Sequence, residues 1–124
     1  MNRFAIARPK SFEQASEVLT DGRFSLTVLK AGGMDVVDHL KEGLIEPDVL
    51  VDVKRLGRNG NGPITGNGDG TMRIEATATL AEIAAHETVR KEAPVVAQAL
   101  EKAATPQVRS VATAAGNLLQ RPRC

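Results

Sequence analysis

Gly32 and Gly33 separate an apolar run from an amphipathic one in "LKAGGMDVVDHLK", residues 29–41. Glycine accepts positive φ and leaves the amides of a strand-to-helix turn uncovered. Such N–H groups can point at an anion beside the positive end of a helix. The pair is therefore a phosphate-cradle candidate, or simply a tight strand-to-helix turn. A second place where backbone could meet a ligand is the small-residue run from Ala112 to Gly116 in "TPQVRSVATAAGNLLQRPRC". Asp35, in the first turn after the glycines, reads as a charge favourable to the helix dipole rather than as a catalyst.

Other chemistries find little support. His39 and His86 are the only histidines, neither has a second ligand at metal spacing, and both are expected at solvated helix positions. Glu82 and Glu87 look like ordinary helix surface, and no Ser-His-Asp or Cys-His set can be assembled. The dinucleotide fingerprint G-x-G-x-x-G is missing from the first strand turn, and no G-x-x-x-x-G-K-[ST] occurs. "NGDGTMRIE" lacks the ligand order of a calcium loop and reads as a hairpin turn. A chain without a visible acid, base or nucleophile fits chemistry carried by a bound cofactor.

The elements that position these residues follow from periodicity. "RFAIARP" predicts a strand ended by Pro9, followed by a capping box at Ser11–Gln14 and a helix closed by Asp21-Gly22. "SLTVLKA" predicts a strand buried on both faces, and Val36, Val37, Leu40 and Leu44 have helical spacing. "PDVLVDV" is the third strand, completing a small parallel βαβαβ unit over residues 1–56. Residues 57–70 form a glycine-rich loop with a short strand at "GPITG". From 71 to 124, "TMRIEATAT" predicts a strand, Thr79–Glu82 a second capping box, and Pro94 the first turn of a further helix. The expected fold class is α/β and α+β: the parallel βαβαβ subdomain, then the start of a second α+β subdomain.

Composition sets the outer limits. The 124 residues carry 16 Lys and Arg against 15 Asp and Glu, interleaved, so no basic field exists for nucleic acid. Phe4, Phe12 and Phe24 are the only aromatic residues, which leaves little for a ring to stack on. The single cysteine, Cys124, excludes an internal disulfide framework. No long apolar run or secretory signal is present, so no membrane association is expected and the default location is cytoplasmic, with periplasmic export on a partner as the alternative.

"AGGMD" at 31–35 and "TPQVRSVATAAGNLLQ" at 105–120 together resemble the two FAD-pyrophosphate loops of the flavin subunit of molybdenum hydroxylases, the family of xanthine, aldehyde and carbon monoxide dehydrogenases. There the loops read close to A-G-G-T-D-L and S-P-Q-[IV]-R-N-x-A-T-[IL]-G-G-N, and the intervening segments also fall in family order. The resemblance implies an FAD-binding fold of the PCMH type and FAD as cofactor. Carried over by position, it implies that Lys30, Ala31, Gly32, Gly33, Met34, Asp35, Val36, Thr113, Gly116 and Asn117 bind FAD. The amides of Gly32, Gly33 and Gly116 would face phosphate, and Thr113 and Asn117 would supply side-chain hydrogen bonds. Implied partners are a molybdenum-cofactor large subunit and a [2Fe-2S] small subunit, with electrons passing through FAD to an acceptor.

This chain departs from the pattern in four places. Met34 replaces threonine, Ser110 asparagine, Ala114-Ala115 an aliphatic and a glycine, and Glu75 a glycine. Ala115 is expected to crowd the phosphate or force an unfavourable backbone angle, so Ala115→Gly is expected to tighten FAD binding. "GNLLQRPRC" resembles a branch with an inserted [4Fe-4S] cluster, in which Cys124 would be the first ligand in a longer chain; one thiolate cannot hold a cluster here. The resemblance covers only the first part of family flavin subunits, so the isolated chain is expected to be inactive. The alternative reading is a non-catalytic α/β module that grips an anion or a partner.

Overall fold

In the computed structural model, which describes residues 3–58, 60 and 62–121, twelve elements follow one another. Strand β1 (Ala5–Ala7), helix α1 (Phe12–Leu19), strand β2 (Thr27–Lys30), helix α2 (Met34–Lys41) and strand β3 (Val49–Asp52) come first. The three strands pair in parallel in the order β1-β3-β2, with Ile6 and Val28 both in register with Leu50. Each crossover is helical, as parallel pairing requires. Only β3 is covered by neighbours on both edges, and Val49, Leu50 and Val51 are buried accordingly. Ala15, Val53 and Leu56 pack with Val49 and Val51 to form the core of this half.

Strand β2 departs from expectation. It is an edge strand, and Leu29 is 45% exposed, because an apolar run does not tell a central strand from an edge one. Helix α1 also ends differently: Gly22 has no positive φ, and the Thr20 hydroxyl caps the last turn by donating to the Ser16 carbonyl at 2.9 Å. At its start Ser11 Oγ accepts from the Gln14 N–H, but the Gln14 side chain accepts from the Lys10 N–H, one residue before the expected partner. Helix α2 stops at Lys41, before Leu44. Gly43 adopts φ +69, its N–H reaches the Leu40 carbonyl, and the Leu44 N–H reaches that of His39. That pair of bonds is a Schellman closure, whose sequence signal is Gly43 itself.

The second half begins with a hairpin of β4 (Ile64–Gly66) and β5 (Met72–Ile74), antiparallel, with Asn67–Gly70 turning between them. "TMRIEATAT" is not one strand: β5 stops at Ile74, and the Ala78 N–H turns back to the Glu75 carbonyl. Helices α3 (Leu80–Ala85), α4 (Glu87–Glu92), α5 (Pro94–Lys102), α6 (Pro106–Arg109) and α7 (Ala114–Leu118) follow. Thr79 and Glu82 form the expected capping box, and Pro94 opens α5. Ile64, Ala78, Ile83, Val89 and Ala97 make a second core, so Ile64 of the glycine-rich stretch belongs to it.

Candidate functional site: two loops at one cleft

The first loop leaves the carboxyl end of β2, where the residues of open parallel sheets meet their ligands. Gly33 is the N-cap of α2 at φ +84, a left-handed conformation that glycine takes without the Cβ penalty. No side chain caps α2, whereas Ser11, Thr79, Thr105 and Thr113 cap α1, α3, α6 and α7. First-turn N–H groups of a helix have no intrahelical acceptor, so the amides of Met34 and Val36 have capacity for an external one. Asp35 lies 3.8 Å from His39 one turn later.

Gly32 answers to a different neighbour. A Cβ there would lie 2.0 Å from the Val111 carbonyl oxygen, so the backbone of the second loop occupies that space. The side chain is excluded by the chain itself. The second loop is in turn pinned along the segment after β5: Ala112 accepts from the Leu80 N–H, and Ala114 and Ala115 donate to the carbonyls of Ala78 and Ala76, all at 2.8–3.0 Å. The Thr113 side chain is buried and its Oγ1 accepts from the Gly116 N–H at 3.3 Å.

Both loops line one cleft of about 810 Å3. Ala31, Gly32, Gly33, Met34, Asp35, Val36, Thr113, Gly116 and Asn117 all contribute to it, which brings together nine of the ten residues expected from sequence. Lys30 is the exception. Its Nζ pairs with Asp52 Oδ2 at 3.2 Å across the β2–β3 edge, and its Cε would be 3.1 Å from a Cβ on Gly33, so it supports the loop from behind. The Gly116 amide, expected to face phosphate, serves the Thr113 cap in this structure. Ala115 lines the cleft within α7, and its φ is not positive, so the expected backbone strain at this residue is absent. Sequence reasoning missed Leu29, Leu80, Ala103, Ala104 and Val108, whose apolar side chains also line the cleft. Val108 is the aliphatic of the T-P-Q-V-R run, but the other four carry no motif, because an ordinary aliphatic residue gives no signal of facing a ligand.

A larger cleft, of about 1040 Å3, meets the chain at Ser110 and holds none of the ten residues. Arg8, Lys54, Arg55 and Arg58 line it, together with Asp52 and Glu82. Glu82 is held by Arg58 through two bonds of 2.9 and 3.1 Å. Partial burial pushes the Glu82 carboxyl up, but hydrogen bonds from the Thr79 amide, Arg58 and the Thr79 hydroxyl outweigh it and leave it below the usual glutamate range. No aromatic residue and no glycine turn faces this space. Neither histidine is a solvated surface group: the His39 side chain is 16% exposed, and His86 Nδ1 is buried without a partner among the described residues. Among those residues no cluster of three or more His, Cys, Asp or Glu could hold a metal ion, and Cys124 lies outside them.

The cleft has the size and lining of a small-molecule site. Its volume falls within the roughly 300–1,000 Å3 of ligand sites, and mostly apolar walls meet a few backbone donors. Residues 2–123 match the family model of the FAD binding domain in molybdopterin dehydrogenase. The chain belongs to that family. Members of the FAD-binding family similar to this chain include the aldehyde oxidoreductase FAD-binding subunit PaoB of Escherichia coli (strain K12), 42% identical over 94 residues, which are 76% of this chain and 29% of PaoB. The nicotinate dehydrogenase FAD-subunit of Eubacterium barkeri is 29% identical over 95% of this chain and 39% of its own length. Among solved structures, reconstituted CO dehydrogenase from Oligotropha carboxidovorans superposes with a TM-score of 0.83 at 27% identity, over 94% of this chain and 39% of that one. The chain thus spans between 29% and 39% of the length of these relatives. The fold is the α/β FAD-binding fold expected from the sequence, and FAD is the family's cofactor.

Proposed function

We propose that this chain is the pyrophosphate-gripping portion of the FAD-binding component of a molybdenum-containing hydroxylase or dehydrogenase. The single observation that carries the reading is the meeting of the two glycine-bearing loops in one cleft. In this reading the uncapped amides at the start of α2, on a left-handed Gly33, point toward a pyrophosphate at the positive end of the helix. Thr113 Oγ1 accepts from Gly116 and has its own hydrogen to donate, and Asn117 offers a side-chain amide at the same cleft. Lys30, tied to Asp52, holds the loop in register rather than touching the ligand.

FAD, when bound, takes up two electrons and releases them singly or together. The residues here contribute binding and orientation. Electrons would come from a molybdenum centre in a large subunit by way of [2Fe-2S] clusters in a small one, and leave to an acceptor. The relatives' names as an aldehyde oxidoreductase subunit, a nicotinate dehydrogenase subunit and a CO dehydrogenase support such an assembly. The two packed clusters support two subdomains, 1–56 and 71–124, with Ile64 and β4 of the 57–70 stretch packing with the second. The short span relative to the relatives supports reading the chain as a portion of a longer flavin subunit, inactive alone; a [4Fe-4S] role for Cys124 in such a longer chain rests only on the resemblance of "GNLLQRPRC".

Titration of the purified chain with FAD, with ADP in parallel, tests the proposal by flavin fluorescence and calorimetry. Saturable binding of both at a single site is expected. A well-folded chain that binds neither would refute it and leave a partner-binding module.

A further inference from the structure

Ala104 is the only non-glycine residue with positive φ among the described residues, at +51, and it lines the cofactor cleft. A left-handed alanine brings its Cβ too close to its own carbonyl, so something must hold it there. Arg109 does so. Its Nη1 donates to the Ala103 carbonyl at 3.0 Å and to the Ala104 carbonyl at 2.9 Å. The same guanidinium forms no ion pair among the described residues, so its charge is directed at these two oxygens. Ala103 is also the C-cap of α5, where a cation is favoured by the helix dipole.

We infer that Arg109 is a positioning residue for the cofactor, acting through the Ala103–Ala104 turn. By closing that turn it presents the methyls of Ala103 and Ala104 beside Val108 as a fixed apolar wall of the cleft. With no aromatic side chain in the lining, this wall is where a planar ring of a dinucleotide gains its van der Waals contact. The inference rests on the FAD reading above. It adds a residue that touches no ligand and yet sets the shape of one wall.

The test measures FAD affinity and thermal midpoint on the full 124-residue chain for wild type, Arg109→Ala, Arg109→Lys, and Arg109→Ala combined with Ala104→Gly. Arg109→Ala should weaken FAD about tenfold, the equivalent of about 1.4 kcal/mol. Arg109→Lys should stay within about threefold, or about 0.7 kcal/mol, since one nitrogen already serves both carbonyls. Ala104→Gly takes φ +51 without strain but removes one methyl of the wall, so it should restore the thermal midpoint of Arg109→Ala and only part of the lost affinity. Unchanged affinity in Arg109→Ala overturns the inference. So does a loss that follows the thermal midpoint and is not rescued by Ala104→Gly, for the role would then be structural only. If the wild type binds no FAD, the cofactor reading itself fails, a result distinct from either of these.

Discussion

A methyl group on residue 32 would sit 2.0 Å from the Val111 carbonyl oxygen, closer than any real Cβ contact, and the obstacle is backbone. Gly32→Ala must therefore push the two loops apart. Overpacking of this kind costs about 1–3 kcal/mol. Chemical denaturation should show that loss, and FAD titration should show the cleft disabled, whereas Gly22→Ala, with open space around it and ordinary φ, should leave both unchanged. Ala115→Gly divides the two properties. Removing a methyl from the cleft wall should tighten FAD binding, while glycine within α7 costs about 0.5–1 kcal/mol of stability. Equal or weaker affinity in that variant would show that the methyl does not crowd the ligand. The glycine pair was legible in the sequence as a place of close approach, and the loop motifs named its family. That the approaching atom at residue 32 is Val111 was not, because nothing local in "AGGMD" encodes a contact made by so distant a segment.

At the scale of elements, α3 is where the halves are tied. Glu82 accepts from the Thr79 amide and hydroxyl in the capping box and from Arg58, which precedes the hairpin. Thr77 Oγ1 adds a bond to the Leu56 carbonyl at 2.6 Å. Because the folded Glu82 pKa is depressed below 4.5, the unfolded chain binds its proton first on acidification. Its contribution is complete above pH 4.5 and is lost as pH falls through the depressed folded value. Glu82→Gln keeps the capping-box acceptor but removes the charge paired with Arg58, so it should lower stability at neutral pH by about 0.2–1 kcal/mol and flatten the acid limb of a stability–pH profile. An acid limb of unchanged slope would place the titrating group elsewhere. The capping box at Thr79–Glu82 was readable because its bonds are local. The edge position of β2 and the turn after Ile74 were not readable, because apolar runs and alternation are shared by central strands, edge strands and turns that face a core.

Over the whole molecule, large apolar side chains remain open to solvent: Leu118 and Leu119 are more than four-fifths exposed, and Val95 three-quarters. Surfaces of this kind associate. Sedimentation should show self-association that grows with concentration, and replacing both Leu118 and Leu119 with glutamine should reduce it. A wild-type chain that stays monomeric at every concentration would contradict this.

The contact between Gly32 and Val111 also orders events in time. During synthesis the first loop leaves the ribosome long before the carbonyl that closes on it, and the segment that pins the second loop, from Ala76 to Leu80, comes between. A nascent chain that has emerged only as far as the glycine-rich stretch holds the first loop without the second, and so only one side of the proposed flavin cleft. If the proposed cleft is the flavin site, cofactor capture waits for the later half, and a loaded chain is a chain whose two halves have already met.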